Sequence, residues 1–361
     1  MGLDIIRLDD ERTRWDEALQ ALPRRLRDVY FTSAYYLLWE RNGDGTAMGA
    51  LFTHGDTVIL YPFLLRELSS VPYLGEEFAG YRDITTAYGY GGPLVYRKGA
   101  DEDAVELFRR AFTEWCRREK VVSEFVRFHP LLDTQGGMER HMECASVSAT
   151  VWARLDCSQS ERLAALNAAT RRNVRQALEN GLTFAVEDSD EAYARFVELY
   201  RQTMERRAAH PYYFFNDEYF TNLRQLLGPA QNLLTIRRDQ TMIAGALFLR
   251  SPEFVHYHLG GSDAAYLDLR PNNLLFFEAM KWGCSLGATA LHLGGGYQPD
   301  DDLFRFKAGF SPLRGRFCVG KAVHDEATYA RAVQARERLG EAASGGFFPA
   351  YRAPLPERAQ Q

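Results

Sequence analysis

The feature that most constrains the fold is the alternation of apolar spacing along residues 158–323. Leu163, Leu166, Thr170, Val174 and Leu178 recur at helical spacing. A capping box from Ser158 to Glu161 opens that helix and Gly181 closes it. A short strand, LTFAVED, follows. The next helix runs over 190–207 with Phe196, Leu199, Tyr200 and Met204 on one face, and another is capped by Asn216 and stopped by Gly228. Three strand-like runs come next, NLLTIRR, MIAGALFLR and EFVHYHLGG, with turns at Asp239–Gln240 and Ser251–Pro252. A helix starts at Pro271, a residue suited to a first helical turn, and ends at Gly287. The strand ATALHLGGG, a helical DDDLFRFKAGF and the strand RGRFCVGKAV complete the half. The order is β-α-α-β-β-β-α-β-α-β.

That order resembles the acyltransferase fold of the GNAT-type acetyltransferases, a mixed sheet that splays open at its centre. The first half repeats it without residue-level similarity. LDIIRL is a strand, ERTRWDEALQAL and TSAYYLLWERNG are helices, and a hairpin turns at Gly55–Asp56. A long loop, the helix DEDAVELFRRAFTEWCRREK and the strand VVSEFVRFHP follow. The expected fold is α/β (α+β): two tandem GNAT-like lobes, 1–150 and 151–325, each a mixed, mainly antiparallel sheet flanked by helices. Residues 326–361 are expected to be a C-terminal helix and a loosely attached tail rich in Gly, Ala and Pro.

Composition agrees with two real cores. Of 361 residues, 46% are hydrophobic and 13% aromatic. The net charge of −5 argues against a general nucleic-acid coat, so any polyanion must meet a local basic patch. Five cysteines without metal-ligand spacing predict free thiols in a reducing compartment. The charged N-terminus has no apolar signal core, and no window has the roughly 20 apolar residues that span a bilayer. These features predict a cytoplasmic protein.

Four segments could carry chemistry. In LHLGGGYQPDDDLFRFKAGF, the triplet Gly294–Gly296 is either a plain turn or a loop that brings backbone close to a ligand. Leu303, Phe306 and Phe310 are expected to form the buried stripe of the following helix. Lys307 beside it is either a snorkelling surface lysine or an ammonium at a groove edge, where it would stabilise charge developing on a carbonyl. The segment YRDITTAYGYGGPLVYR holds Asp83, Tyr88, Tyr90 and Gly91, as an ordered loop or as a substrate-facing one. Arg171, Arg172 and Arg175 form a basic helix surface, with Arg207 at another helix end. This is either a solvated face or a phosphate site. His256 and His258 lie on one side of a strand with nothing to complete a metal set, so no metal site is expected. In coenzyme A enzymes of this fold a glycine-bearing loop before the central helix cradles the pyrophosphate. The matching LDLRPNNLL has no glycine, and Pro271 removes a donor.

The runs TRRNVRQALENGLTF, LYRQTMERR, LFLR, HLGGSDAAYLDLRPNNLL, LHLGGG and LFRFKAGF together resemble the FemABX-type peptidyltransferases. DITTAYGYGGP and FVRFHPL extend the likeness into the first half. The resemblance implies amide-bond formation between an aminoacyl-tRNA donor and an amine-bearing acceptor, a cell-wall precursor or a small metabolite. It implies no cofactor, the aminoacyl-tRNA being a co-substrate, and allows peripheral membrane contact through a lipid-linked acceptor. By this resemblance Lys307 would steady the tetrahedral intermediate. Asp83 and His258 are the candidate bases. Tyr88, Tyr90, Gly91, His258, Tyr266, Asn272, Gly295, Tyr297 and Phe306 would contact substrate, and Arg171, Arg172, Arg175 and Arg207 would meet tRNA or phosphate. Two alternatives remain: an acyl-CoA-dependent N-acyltransferase, and a non-catalytic protein that keeps the fold.

Overall fold

The helical and strand periods read from the sequence become two compact units in the structure, a computed structural model describing residues 2–97, 103–298, 300–340 and 346–355. Residues 1–26, 30–147 and 317–361 form the first unit, and residues 27–29 with 148–316 the second. The chain therefore returns to its first unit after the second, instead of ending in a separate C-terminal segment.

In the first unit, β1 (Gly2–Arg7), α1 (Leu8–Gln20), α2 (Ser33–Arg41), β2 (Thr46–His54) and β3 (Thr57–Glu67) follow the expected order. Residues 81–97, expected to be a loop, contain two short strands, β4 (Arg82–Thr85) and β5 (Leu94–Arg97). Both pair with β3, at its opposite ends. Glycines and tyrosines between them hide the alternation that marks a strand. Then come α3 (Ala104–Arg118) and β6 (Val121–Arg127), with β6 parallel to β4. Behind this sheet Arg109 makes a fully buried two-pronged pair with Glu124, at 2.9 and 2.8 Å, and Tyr61 donates to the same carboxylate at 2.9 Å.

Strand β7 (Glu143–Arg154) leads into the second unit. There follow α4 (Gln159–Ala165), α5 (Ala168–Glu179), β8 (Leu182–Glu187), α6 (Asp190–Arg206), α7 (Asp217–Leu227), β9 (Gln231–Arg238), β10 (Thr241–Arg250), β11 (Phe254–Ser262), α8 (Pro271–Ser285), β12 (Ala290–Gly294) and α9 (Asp302–Ala308). The Ser158–Glu161 capping box is present. The long helix expected after it is broken, because Asn167 caps a second start by accepting from the Thr170 N–H at 2.7 Å. Leu166 and Val174 are buried, whereas Leu163 and Leu178 at the ends of the expected stripe are exposed. Strands run β8-β9-β10-β11-β12, the order shown by β1-β2-β3-β4-β6, and in both units only the last of these pairs is parallel. Two tandem GNAT-like lobes follow from that shared order.

Strand β13 (Arg314–Val323) pairs through residues 319–323 with β6, and α10 (Glu326–Glu337) succeeds it. The tail expected to be loose instead packs on the first unit through residues 348–353, and residues 341–345 and 356–361 lie outside the described residues. Tyr351 is fully buried, and Arg336 Nε donates to the Ala353 carbonyl at 3.1 Å. Composition suggests looseness here, but one buried aromatic with a polar tip outweighs it.

Candidate active site

The site lies in the second unit, where the parallel pair comes apart. Strands β11 and β12 are in register only from Phe254–Ala290 to His256–His292. Beyond that β11 continues to Ser262 while β12 ends in glycines, so the sheet opens from Tyr257 onward. A bulge sharpens the opening. Phe248 faces Tyr257 and Leu247 faces Leu259, which leaves His258 as the extra residue. Tyr257 accordingly points toward α8, with its ring 4.9 Å from Phe276. His258 points the other way, into a 2.8 Å hydrogen bond with the Tyr219 hydroxyl of α7.

The cleft so formed encloses about 460 Å³. Its walls are the end of α6, the middle of β10, the end of β11, the first turns of α8, and α9 with its preceding loop. Asn272, Tyr297, Phe306 and Arg207 all line it. Tyr297 stands at the rim, 61% exposed, edge-on to Tyr213.

Lys307 is neither a surface lysine nor a lining residue. It is 4% exposed, Nζ donates to the Gly295 carbonyl at 2.7 Å, and the ammonium lies 5.3 Å from the Tyr257 ring centre. Burial pushes its pKa down to about 8, against a smaller opposing pull from Asp301. The expected stripe of α9 is turned. Phe304, Lys307 and Phe310 face inward, while Leu303 and Phe306 are half-buried at the cleft. The helical period gave the helix, but packing of the whole unit sets which face turns in.

Asp301 holds this arrangement in place. Its carboxylate accepts from the backbone N–H groups of Phe304 at 2.7 Å, Tyr297 at 2.7 Å and Gln298 at 3.1 Å. Burial opposes ionisation, and those three donors overcome it and hold the carboxyl below its usual range. The glycine triplet now has a physical reason. Gly294 takes a φ of +75°. A Cβ on Gly296 would lie 2.1 Å from an Asp301 carboxylate oxygen.

Several expected site residues lie elsewhere. Asp83 is fully buried in the first unit between Arg66 at 2.6 Å and Arg352 at 2.5 Å, and Tyr351 donates to it at 3.0 Å. A carboxylate so enclosed anchors structure and has no free lone pair facing solvent for a substrate proton. His258 is buried on the α7 side of the sheet. Burial, and next the neighbouring His256, lower its pKa to about 3, so it is a neutral packing partner there. Tyr88 packs on Trp39, Tyr90 is edge-on to Tyr30, and the Gly91 N–H donates to the Arg127 carbonyl at 2.7 Å, all within the first unit. Tyr266 packs against the core of the second unit. Arg171, Arg172 and Arg175 are exposed on α5, and Arg171 donates to the Leu166 carbonyl. Of the four expected cations only Arg207 lines the cleft.

Sequence reading passed over Tyr257 and Asp301. Tyr257 was masked by the histidines on either side. Asp301 carried a usable sign, an acidic residue immediately before a helical run.

Residues 166–307 match the acetyltransferase (GNAT) domain family. No curated protein matches the chain in sequence. Among solved structures, FemX is similar over 92% of this chain and 99% of its own, with a TM-score of 0.69 at 15% identity. The C-terminal domain of a putative lysylphosphatidylglycerol synthetase from Agrobacterium fabrum covers 92% of this chain and 97% of its own, with a TM-score of 0.54 at 15% identity. L-PGS from Bacillus licheniformis covers 89% and 95%, with a TM-score of 0.51 at 14% identity. No helix among the described residues is long and apolar enough to cross a membrane. Residues 166–307 thus match a GNAT-type acetyltransferase domain, within a two-lobed fold similar to that of FemX.

Proposed function

We propose that the chain is an aminoacyltransferase that joins an aminoacyl group, delivered on tRNA, to the amine of a cell-wall precursor, a lipid-linked acceptor or a small metabolite. The observation that carries this reading is Lys307, a buried ammonium beside a cleft where the sheet has opened, tied to a glycine carbonyl and a tyrosine face. The acceptor amine attacks the ester carbonyl, a C–N bond forms, the C–O bond to the ribose breaks, and the ribose hydroxyl leaves with a proton. An ammonium carries three donors, so Lys307 has protons beyond the one on Gly295 to offer the oxyanion. The amine reacts as its free base.

The start of α8 favours this donor over acyl-CoA. Residues 267–274 contain no glycine, Pro271 fills the first helical position, and Arg270 itself takes the left-handed φ of 63°. A pyrophosphate there finds one donor fewer and an arginine Cβ near its path.

The test is a mass-spectrometric assay for amide product, with purified protein, amine acceptors, and either aminoacyl-tRNA or acyl-CoA. Product from aminoacyl-tRNA alone is expected. Product from acyl-CoA alone overturns the donor assignment, and full activity in both Lys307→Ala and Lys307→Arg overturns the role of the lysine.

A further inference from the structure

The cleft sorts its residues by depth, and the sorting bears on what it can hold. Met204, Ala246, Leu275 and Phe276 at its base are all less than 8% exposed, and Tyr257 and Phe306 close over them half-buried. Thr203, Ser262 and Asn272 beside them are engaged within the protein. Thr203 Oγ1 accepts from the Ser262 N–H at 3.0 Å and donates to the Leu199 carbonyl, and Asn272 Nδ2 donates to Ser262 Oγ at 3.3 Å. Arg206 donates to the Ser262 carbonyl at 3.2 Å.

Charge is just as uneven. Three cations stand at or beside the cleft: Arg206 and Arg207 at the rim, and Lys307 behind Tyr257. Two carboxylates line it. Asp301 is bound by three backbone N–H groups. The Asp302 side chain is 90% exposed and paired with Arg305 at 2.6 Å, outside the base. No carboxylate among the described lining residues faces the apolar base.

We propose that this base receives the side chain of the transferred acyl group and selects one that is apolar and uncharged, such as a leucyl or phenylalanyl group. The inference rests on the acyl-transfer reading above and names its donor class. A glycyl group would leave the base in contact with water, forfeiting the burial that favours binding. A lysyl group would carry an ammonium past three cations toward an apolar base that neither lining carboxylate faces.

Calorimetric titration of the purified chain with stable 3′-amide analogues of leucyl-, phenylalanyl-, glycyl- and lysyl-adenosine tests this. The leucyl or phenylalanyl analogue is expected to bind about tenfold or more tighter than the glycyl and lysyl ones. Leu303→Glu, which places a carboxylate on the half-buried cleft side of α9, should raise the affinity of the lysyl analogue and lower that of the leucyl one. Equal binding of all four, tightest binding by lysyl, or an order unchanged in Leu303→Glu overturns the inference. The same acyl side chains on coenzyme A thioethers separate the two readings. If these bind with the apolar preference and the adenosine analogues do not bind, the tRNA donor fails and the apolar selection stands. Absence of preference on both carriers overturns the selection itself.

Discussion

The Tyr351 hydroxyl donates to the Asp83 carboxylate at 3.0 Å across 268 residues of sequence. Ser123 lies 2.8 Å from the same hydroxyl, and Arg66 and Arg352 flank the carboxylate. This buried cluster ties the end of the described chain to β4 and β6. Tyr351→Phe should cost about 1–3 kcal/mol, the penalty for leaving a buried partner unsatisfied. Asp83→Asn should cost more, roughly 3–5 kcal/mol, because two guanidiniums lose their anion. Urea midpoints measure both. Specific activity per folded molecule should survive Asp83→Asn, and a loss of several orders there would return Asp83 to the chemistry.

The Arg109–Glu124 pair gives a second stability test. Burial alone would raise the Glu124 carboxyl, but the Arg109 charge and hydrogen bonds from His324 and Arg109 outweigh it and hold the group well below its usual range. A depressed carboxyl stabilises the fold above the ordinary carboxylate range, and that stability is lost as pH falls. Arg109→Leu strands the charge and should cost roughly 3–5 kcal/mol. Arg109→Leu with Glu124→Leu should recover much of the loss, read by the same denaturant midpoints.

Lys307 should imprint itself on the pH profile. Its charge disappears as pH rises through about 8, so kcat/KM should fall above that point if the ammonium stabilises the oxyanion. Lys307→Arg, whose charge persists, should abolish that limb whatever activity it keeps. Stability carries the opposite sign. The unfolded lysine titrates near 10.5, so between about 8 and that value the unfolded chain binds more protons and stability rises with pH.

Asp301 and Gly296 form a pair whose disruption should be felt at Lys307. Asp301→Ala removes the cap of α9 and should cost about 1 kcal/mol, within the usual 0.5–2 range. Gly296→Ala forces a Cβ into the Asp301 carboxylate and should lower kcat more than it lowers the melting temperature. Equal activity in the two variants and the parent would detach the loop from catalysis.

Much of the architecture was legible because side-chain period reports secondary structure directly. Phe196, Leu199, Tyr200 and Met204 all turn inward on α6, and Asn216 and Gly228 bound α7 as read. What stayed hidden needed three dimensions. The period shows that residues 302–308 are helical, but whether Phe304 or Phe306 lies deeper depends on the rest of the unit. The bulge at His258 reverses the faces of a strand, and no local pattern in HYHLGG announces it. Asp83 looks available in a loop of tyrosines and glycines, because its partners Arg352 and Tyr351 arrive from the far end of the sequence.

That far end has a consequence for how the protein is made. The first unit begins with the earliest residues, yet the part of β13 that pairs with β6, residues 319–323, and the Tyr351 contact come only after residue 316. During synthesis the second unit can emerge whole and close its core while the first still waits for its last strand and its anchor. A polypeptide stalled or cut near residue 316 should therefore present a folded second unit joined to an unfinished lobe, with β6 exposed along one edge as a surface for unwanted pairing.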